Sequence, residues 1–350
     1  MKDLRTKKHF EILDGLRGVA ALSVVVFHFM EVIEADYANS FIGNGFLAVD
    51  FFFCLSGFVI AYAYDDRMAN LGVKGFFKAR LIRLHPLVVL GSVLGIAGFY
   101  FNPFAPHQAL RIVRITKLVL SSILLIPYPA MRERFFNLFS FNAPAWSLFW
   151  EYVANVFYAL VLYRIRRRYL LLLIILSAIA LCLVVYQQGA LSGGWDGHTF
   201  WVGLVRVAYS FMAGLLVYRS GRIIKNRLGF LPMSILLVLA LLFPYSKWNY
   251  LSESLIVLLY FPFLIMLGAG ATPGPRLAKL CGFFGKISYP LYMTHYWAIW
   301  IFFDFYKSHQ HRPLETFFIV AAATVVLIIL SYIIMIAYDG PVRRFLNRRS

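Results

Sequence analysis

The 350-residue chain carries 34 Lys plus Arg against 16 Asp plus Glu, a formal net charge of +18, and is 61% hydrophobic and only 14% charged. Soluble domains run at about 45–50% apolar and about 25% charged. The composition therefore excludes a disordered chain, which lacks apolar content, and a single soluble core, which needs more polar residues to cover it. The apolar excess falls in long blocks separated by short basic clusters, the pattern of a polytopic helical membrane protein rather than a nucleic-acid binder. Cys54, Cys182 and Cys281 show no metal-ligand spacing and no disulfide framework, so no metal site is expected. The first apolar run, from Leu13, contains Asp14 and Arg17 and lacks a small-residue cleavage site. It is expected to be a retained helix, not a signal peptide.

A crossing needs about 20 mostly apolar residues. Ten segments qualify: 13–33, 44–64, 84–101, 144–163, 169–187, 199–218, 228–244, 251–269, 285–305 and 314–337. An eleventh run, 115–128, is short and bounded by Lys117 and Pro127. Loop charge decides against it. With ten spans and the N-terminal Lys2, Arg5, Lys7 and Lys8 in the cytoplasm, 24 of the 34 basic residues lie inside and 8 outside. The inner clusters are then Arg67–Arg83, Arg164–Arg168, Arg219–Arg227, Arg276–Lys286 and Arg343–Arg349. An eleventh crossing would put Arg164–Arg168 outside, against the positive-inside bias. The expected fold is an all-α polytopic membrane helix bundle of about ten transmembrane helices with both termini cytoplasmic. Residues 102–143 form an outer segment with a re-entrant or interfacial helix. Residues 1–350 are expected to be one transmembrane domain with no appended soluble domain.

Ionisable groups inside spans are costly and point to function. The first span holds Arg17 and His28, eleven residues or about three turns apart, so both lie on one face about 16 Å from each other. Asp50 in the second span and Glu151 in the fourth each lie about two turns from the outer end, level with His28. Arg206 in the sixth span enters the same layer, and His295 in the ninth lies nearer the midplane. Acids and bases at one depth suggest one polar cavity; the alternative is a set of buried ion pairs that fix helix register. Asp50 or Glu151 beside His28 would favour its imidazolium and set its tautomer, as a general base requires. On the cytoplasmic side Arg80 and Arg83 share a helix face at i, i+3, two guanidinium forks suited to phosphate. An interfacial helix meeting anionic lipid explains that spacing equally well.

At these residues the chain resembles the acyltransferase family 3 membrane proteins, which acylate bacterial surface polysaccharides and some small molecules. Arg17 and His28 match the basic-x10-His pattern of the first span. Val49-Asp50-Phe51-Phe52-Phe53-Cys54-Leu55-Ser56-Gly57-Phe58 resembles the second-span motif, and Arg80 and Arg83 match Arg-x-x-Arg. Trp146-Ser147-Leu148 with Glu151 resembles Trp-Ser-Leu…Glu, and Ser288-Tyr289-Pro290-Leu291-Tyr292 with His295 resembles the late Ser-Tyr…Tyr-x-x-His motif. The likeness runs from about residue 10 to 345. At Tyr338-Asp339-Gly340-Pro341 the family often has Glu before x-Pro or Pro, so no role attaches to Asp339.

The resemblance implies a multi-pass enzyme of the bacterial cytoplasmic (inner) membrane. It implies acyl-CoA, most often acetyl-CoA, as co-substrate with no bound cofactor, and a hydroxyl of an extracytoplasmic glycan or lipid-linked sugar as acceptor. Arg17, Arg80 and Arg83 would bind the donor, and His28 would act as base with Asp50 or Glu151 orienting it. Ser147, Trp146, Arg206, Tyr292 and His295 are the substrate and oxyanion candidates. Membrane lipid is an expected partner and nucleic acid is not; the sequence leaves the oligomeric state open. A covalent acyl-enzyme through Ser56, Ser147 or Ser288 is disfavoured, because no Ser-His spacing supports it. The competing class is a proton-coupled transporter that uses His28, Asp50 and Glu151 as a relay.

Overall fold

Backbone in hydrocarbon must satisfy its own hydrogen bonds, and the chain does so with helices. The computed structural model describes residues 9–105, 110–308 and 312–348, and among them no strand forms beyond one isolated bridge between Asn137 and Asp196. Lys2, Arg5, Lys7 and Lys8 of the expected cytoplasmic cluster, and Arg349, lie outside the described residues.

The helices are α1 (Glu11–Ile33), α2 (Ala48–Tyr64), α3 (Met68–Tyr100), α4 (Ile112–Leu124), α5 (Ala145–Phe157), α6 (Arg167–Gln188) and α7 (Phe200–Ser220). There follow α8 (Phe230–Leu241), α9 (Asn249–Leu255), α10 (Phe261–Gly270), α11 (Pro275–Thr294), α12 (Tyr296–Ser308), α13 (Pro313–Ile334) and α14 (Gly340–Arg348). Single π-helical turns, Tyr158–Leu162, Ile256–Tyr260 and Met335–Asp339, extend α5, join α9 to α10 and join α13 to α14. Among the described residues, eight helical stretches have the length and apolarity to cross a membrane. Two of the ten expected spans fall short of that measure. The first, 228–244, contracts to the 12-residue α8. The second, 285–305, is split at His295 into α11 and α12, and α11 also carries Arg276, Lys279 and Lys286. Arg80 and Arg83, expected on one helix face ahead of the third span, lie in the 33-residue α3, which bends at Gly72 with φ of 67°. The ambiguous run is the 13-residue α4, about 20 Å long and too short to cross.

Two helix pairs form the centre: α1 with α11, and α2 with α7. Both depend on glycine. A Cβ at Gly18 would enter the backbone of Phe284, and one at Gly57 would enter the carbonyl of Phe211. Removing these side chains lets the backbones approach closely, which is how helices pack where lipid offers no hydrophobic drive. The periphery is apolar. Leu172, Ile175, Leu176, Ile179 and Leu183 on α6, and Val325, Val326, Ile329 and Ile333 on α13, are exposed, as a lipid-facing surface requires.

Candidate functional site

Arg17 and His28 both lie on α1, eleven residues apart and so toward opposite ends of it. A cavity opens at each end. The cavity at the Arg17 end measures about 510 Å³. Five cations line it, Arg17, Arg80, Arg83, Lys286 and Arg343, against three acids, Asp14, Glu151 and Asp339. Arg17 donates from Nε to Ser288 Oγ at 2.9 Å and from Nη2 to the Gly285 carbonyl at 2.7 Å, and pairs with Asp14 at 3.1 Å. This ties α1 to α11 and fixes the guanidinium in the wall. Arg80 is buried and pairs with Glu151 at 2.7 Å, and Ser56 Oγ donates to the same carboxylate oxygen at 2.9 Å. Arg343 pairs with Asp339 at 2.8 Å. Arg83 and Lys286 have no carboxylate within ion-pair distance among the described residues, so the wall keeps uncompensated positive charge. Such a chamber attracts polyanions.

The cavity at the His28 end measures about 420 Å³. His28 Nδ1 lies 3.0 Å from Glu31 Oε2, and the Tyr37 hydroxyl donates to Glu31 Oε1 at 2.5 Å. Because a carboxylate only accepts, Nδ1 carries the ring proton and Nε2 keeps its lone pair. A base held by a carboxylate through its other nitrogen is the arrangement that accepts a proton from an attacking hydroxyl. Burial, with Glu31 beside it, pushes the Tyr37 phenol above its ordinary range, so it remains a donor. Tyr296 meets His28 edge-on at 4.9 Å, and His295 stacks on it at 5.5 Å. His295 is fully buried, with Nδ1 3.1 Å and 2.9 Å from the carbonyls of Leu291 and Tyr292. Nδ1 therefore bears its proton too, and Nε2 has no hydrogen-bond partner among the described residues.

The geometry corrects the expected acid–base pairing. Asp50 is fully buried and lines neither cavity; both its oxygens are taken by Arg206, at 3.1 Å from Nε and 2.7 Å from Nη2. Arg206 also donates to the carbonyls of Gly193 at 2.8 Å and Phe46 at 3.1 Å and sits 5.1 Å from the Trp146 ring. The pair clamps α2, α7 and two loops, and its saturated hydrogen bonds leave no group free for His28. Glu151 belongs to the opposite cavity, where Arg80 holds it. Glu151 thus lies toward the Arg17 end rather than level with His28, and Asp50 turns to Arg206, so the three side chains fall into separate clusters. The transporter alternative, which uses His28, Asp50 and Glu151 as a relay, draws no support from their placement. Glu31, three residues beyond His28 on the same helix, takes the place expected for Asp50 or Glu151. The i, i+3 spacing carried that signal, and a search across helices passed over it.

The remaining candidates sit where the cavities approach each other. Val49 and Tyr292 line both. Ser147 lines the basic cavity and Trp146 the other. Ser147 Oγ donates to the Pro144 carbonyl at 3.0 Å, so the Tyr292 hydroxyl, 2.7 Å away, donates to Ser147. Both protons are committed, and one becomes available to an oxyanion when one of these bonds opens. Among the charged lining residues that the sequence motifs do not point to, besides Glu31, are Lys286 and Arg343 in the basic cavity and Lys307 and Arg134 in the other, Arg134 lying in a segment without periodicity. Arg134 is 7% exposed, lies 4.0 Å over the Trp300 ring and 5.5 Å from that of Phe99, and borders the His28 cavity. Burial draws its guanidinium down to about 10, which leaves it charged at neutral pH. No group of three or more His, Cys, Asp or Glu positioned to hold a metal ion occurs among the described residues.

The described residues thus form a helical bundle of membrane type with a basic cavity toward one end and a carboxylate-held histidine toward the other. A family model described as an acyltransferase domain, that of acyltransferase family 3, matches residues 10–336, and the chain belongs to that family. A Rhizobium radiobacter protein named "Protein 2 in picA locus" is 36% identical over 184 residues, covering 50% of this chain and 93% of its own length. A Staphylococcus aureus (strain COL) protein named "Putative O-acetyltransferase" is 26% identical, over 91% of this chain and 55% of its own length. A Bacillus subtilis (strain 168) protein named "Putative peptidoglycan O-acetyltransferase YrhL" is also 26% identical, over 83% of this chain and 49% of its own length. The chain spans about half the length of the Staphylococcus and Bacillus relatives. No solved structure matches.

Proposed function

We propose that the protein is a membrane O-acyltransferase that moves an acyl group, acetyl foremost, from acyl-CoA to a hydroxyl of a glycan or lipid-linked sugar. The observation that carries this is the pair of cavities meeting at Val49 and Tyr292, one lined by five cations against three acids and the other holding His28. The phosphates of CoA seat on Arg17, Arg80 and Arg83, with Lys286 and Arg343 adding charge, at the cytoplasmic face of a bacterial inner membrane. The pantetheine arm carries the thioester toward Ser147 and Tyr292. An acceptor hydroxyl entering from the extracytoplasmic side loses its proton to His28 Nε2 as its oxygen attacks the thioester carbonyl. The tetrahedral oxyanion takes a hydrogen bond released from the Ser147–Tyr292 pair. The carbon–sulfur bond then breaks, and the CoA thiolate leaves and takes up a proton, while the ester remains on the acceptor. Glu31 holds the His28 imidazolium formed on the way. The name of the Bacillus relative favours a cell-wall glycan as acceptor.

The test is release of CoA and transfer of label from radioactive acetyl-CoA by the purified protein in detergent, with cell-wall glycan fragments as acceptors. Transfer that disappears in His28→Ala and weakens through KM in Arg80→Ala with Arg83→Ala supports the reading. Full activity in His28→Ala at normal abundance overturns the role of the base. Transfer from another acyl donor but not from acetyl-CoA overturns the donor.

A further inference from the structure

The His28 cavity contains more positive charge than its acids neutralise. Glu31 is already engaged by His28 and Tyr37. Arg206 is neutralised by Asp50. Arg134 and Lys307 also line this cavity, and neither has a carboxylate within ion-pair distance among the described residues. Lys307 rests over the Phe303 ring at 4.0 Å and remains exposed. Arg134 differs, because it is more than nine-tenths buried. Trp300 at 4.0 Å and Phe99 at 5.5 Å hold its planar head by its faces. Face contacts stabilise a cation but leave the N–H edge unused. Asp304 is near enough to favour the Arg134 charge but outside ion-pair distance; Asn102 donates to it at 2.6 Å, and it does not line the cavity. A guanidinium that is buried, stacked on aromatic rings at a cavity wall and not directly paired with a carboxylate is set to receive a carboxylate or phosphate edge-on.

We propose that this cavity takes a negatively charged glycan, whose carboxylate or phosphate seats on the edge of Arg134 while a hydroxyl of the same molecule faces His28. Trp195, Trp300 and Tyr296 line the space between and supply flat surfaces for a sugar ring. Lys307 adds long-range attraction at the rim. The part played by the hydroxyl rests on the acyl-transfer reading above; the anion seat rests on Arg134 alone.

The two are separable by experiment. Saturation-transfer NMR on the full chain in detergent, without acetyl-CoA, reads weak binding of three probes: methyl β-D-glucuronide, glucose 1-phosphate and the neutral methyl β-D-glucoside. At least one anion is expected to bind roughly ten- to hundredfold more tightly than the glucoside, the worth of a charge-assisted hydrogen-bond pair. Preference for the glucuronide identifies a carboxylated sugar, and preference for the phosphate identifies a phosphate-linked one; either supports the proposal. Arg134→Gln is expected to abolish the preference, and Arg134→Lys to keep part of it, since charge survives without the planar fork. Thermal melting checks that each variant is folded, and should Arg134→Gln fail, Arg134→Lys and the wild-type ranking still decide. Equal binding of glucoside and anions, or a preference that survives in Arg134→Gln, overturns the proposal. If the preference depends on Arg134 but no acyl transfer occurs from any donor, the acyl-transfer reading falls and the anion seat stands.

Discussion

Replacing Glu31 with Gln isolates the charge behind His28. The amide oxygen can still accept from Nδ1, so the hydrogen bond of 3.0 Å is kept while the negative charge is lost. In the proposed reaction His28 becomes a cation as it takes the acceptor proton, and Glu31 then faces a full positive charge. A hydrogen bond to a charged group is worth about 1.5–3 kcal/mol. The two side chains are 20% and 32% exposed, so solvent screens part of it and the lower range of about 1.5–2 kcal/mol applies. That corresponds to a loss of about 10- to 30-fold in kcat. KM for acetyl-CoA should not change, because the donor cations lie in the other cavity. Initial rates of CoA release, followed with a thiol reagent at saturating acceptor, give both constants. Tyr37→Phe keeps the carboxylate and removes only its 2.5 Å hydrogen bond, so a loss of a few-fold is expected. Wild-type kcat in Glu31→Gln, alongside an inactive His28→Ala, would refute the dyad and return the search for the orienting group to His295.

Other perturbations test the frame around the site. Asp50→Asn leaves Arg206 charged and buried without its counter-ion, and should destabilise by about 3–5 kcal/mol, lowering the melting temperature in detergent. Adding Arg206→Met to that variant should recover part of the loss; a melting temperature unchanged in Asp50→Asn would argue against the clamp. Arg83→Ala removes a cation with no carboxylate partner, so KM for acetyl-CoA should rise by up to about tenfold while kcat is held. Equal KM would exclude Arg83 from the donor site. Gly57→Leu forces a side chain into the Phe211 carbonyl of α7, an overpacking that costs about 1–3 kcal/mol or more. The expected readout is a shrunken monodisperse peak in size-exclusion chromatography, with Gly189→Leu, where nothing crowds a Cβ, as a contrast that reports backbone strain alone.

The bundle was legible because hydropathy is a one-dimensional signal. Runs such as Leu171–Leu183 announce a lipid-facing helix wherever they fall, and the motif order announces the family. Arg17 with His28 was legible for a related reason, since helical spacing fixes two residues on one rod. What failed was every inference that needed the rotation of one rod against another. Asp50 and Glu151 were expected level with His28, yet Glu151 lies in the opposite cavity and each turns to an arginine, because a carboxylate taken from water is stabilised more by a guanidinium fork than by a neutral ring. Arg134 was invisible for another reason. It sits in a 3₁₀ turn, Arg132–Arg134, inside a segment without helical period, and it reaches the cavity only through the long-range packing of that segment on α12. The split of the ninth expected span at His295 was equally hidden, since the apolar run is continuous in sequence and only the geometry of the turn divides it.

Val49 and Tyr292 line both cavities, so these two side chains stand between them. A boundary made of two side chains acts as a sieve. Under the proposed reaction neither the nucleotide end of the donor nor the sugar need ever change sides, and only a fragment the size of an acyl group slips past. The bilayer then stays sealed to ions during turnover, which no carrier that swallows whole substrates achieves without a second gate. It also sets a ruler. Enlarging the slot by trimming Tyr292 should lengthen the acyl chains that pass before it alters which sugars are bound.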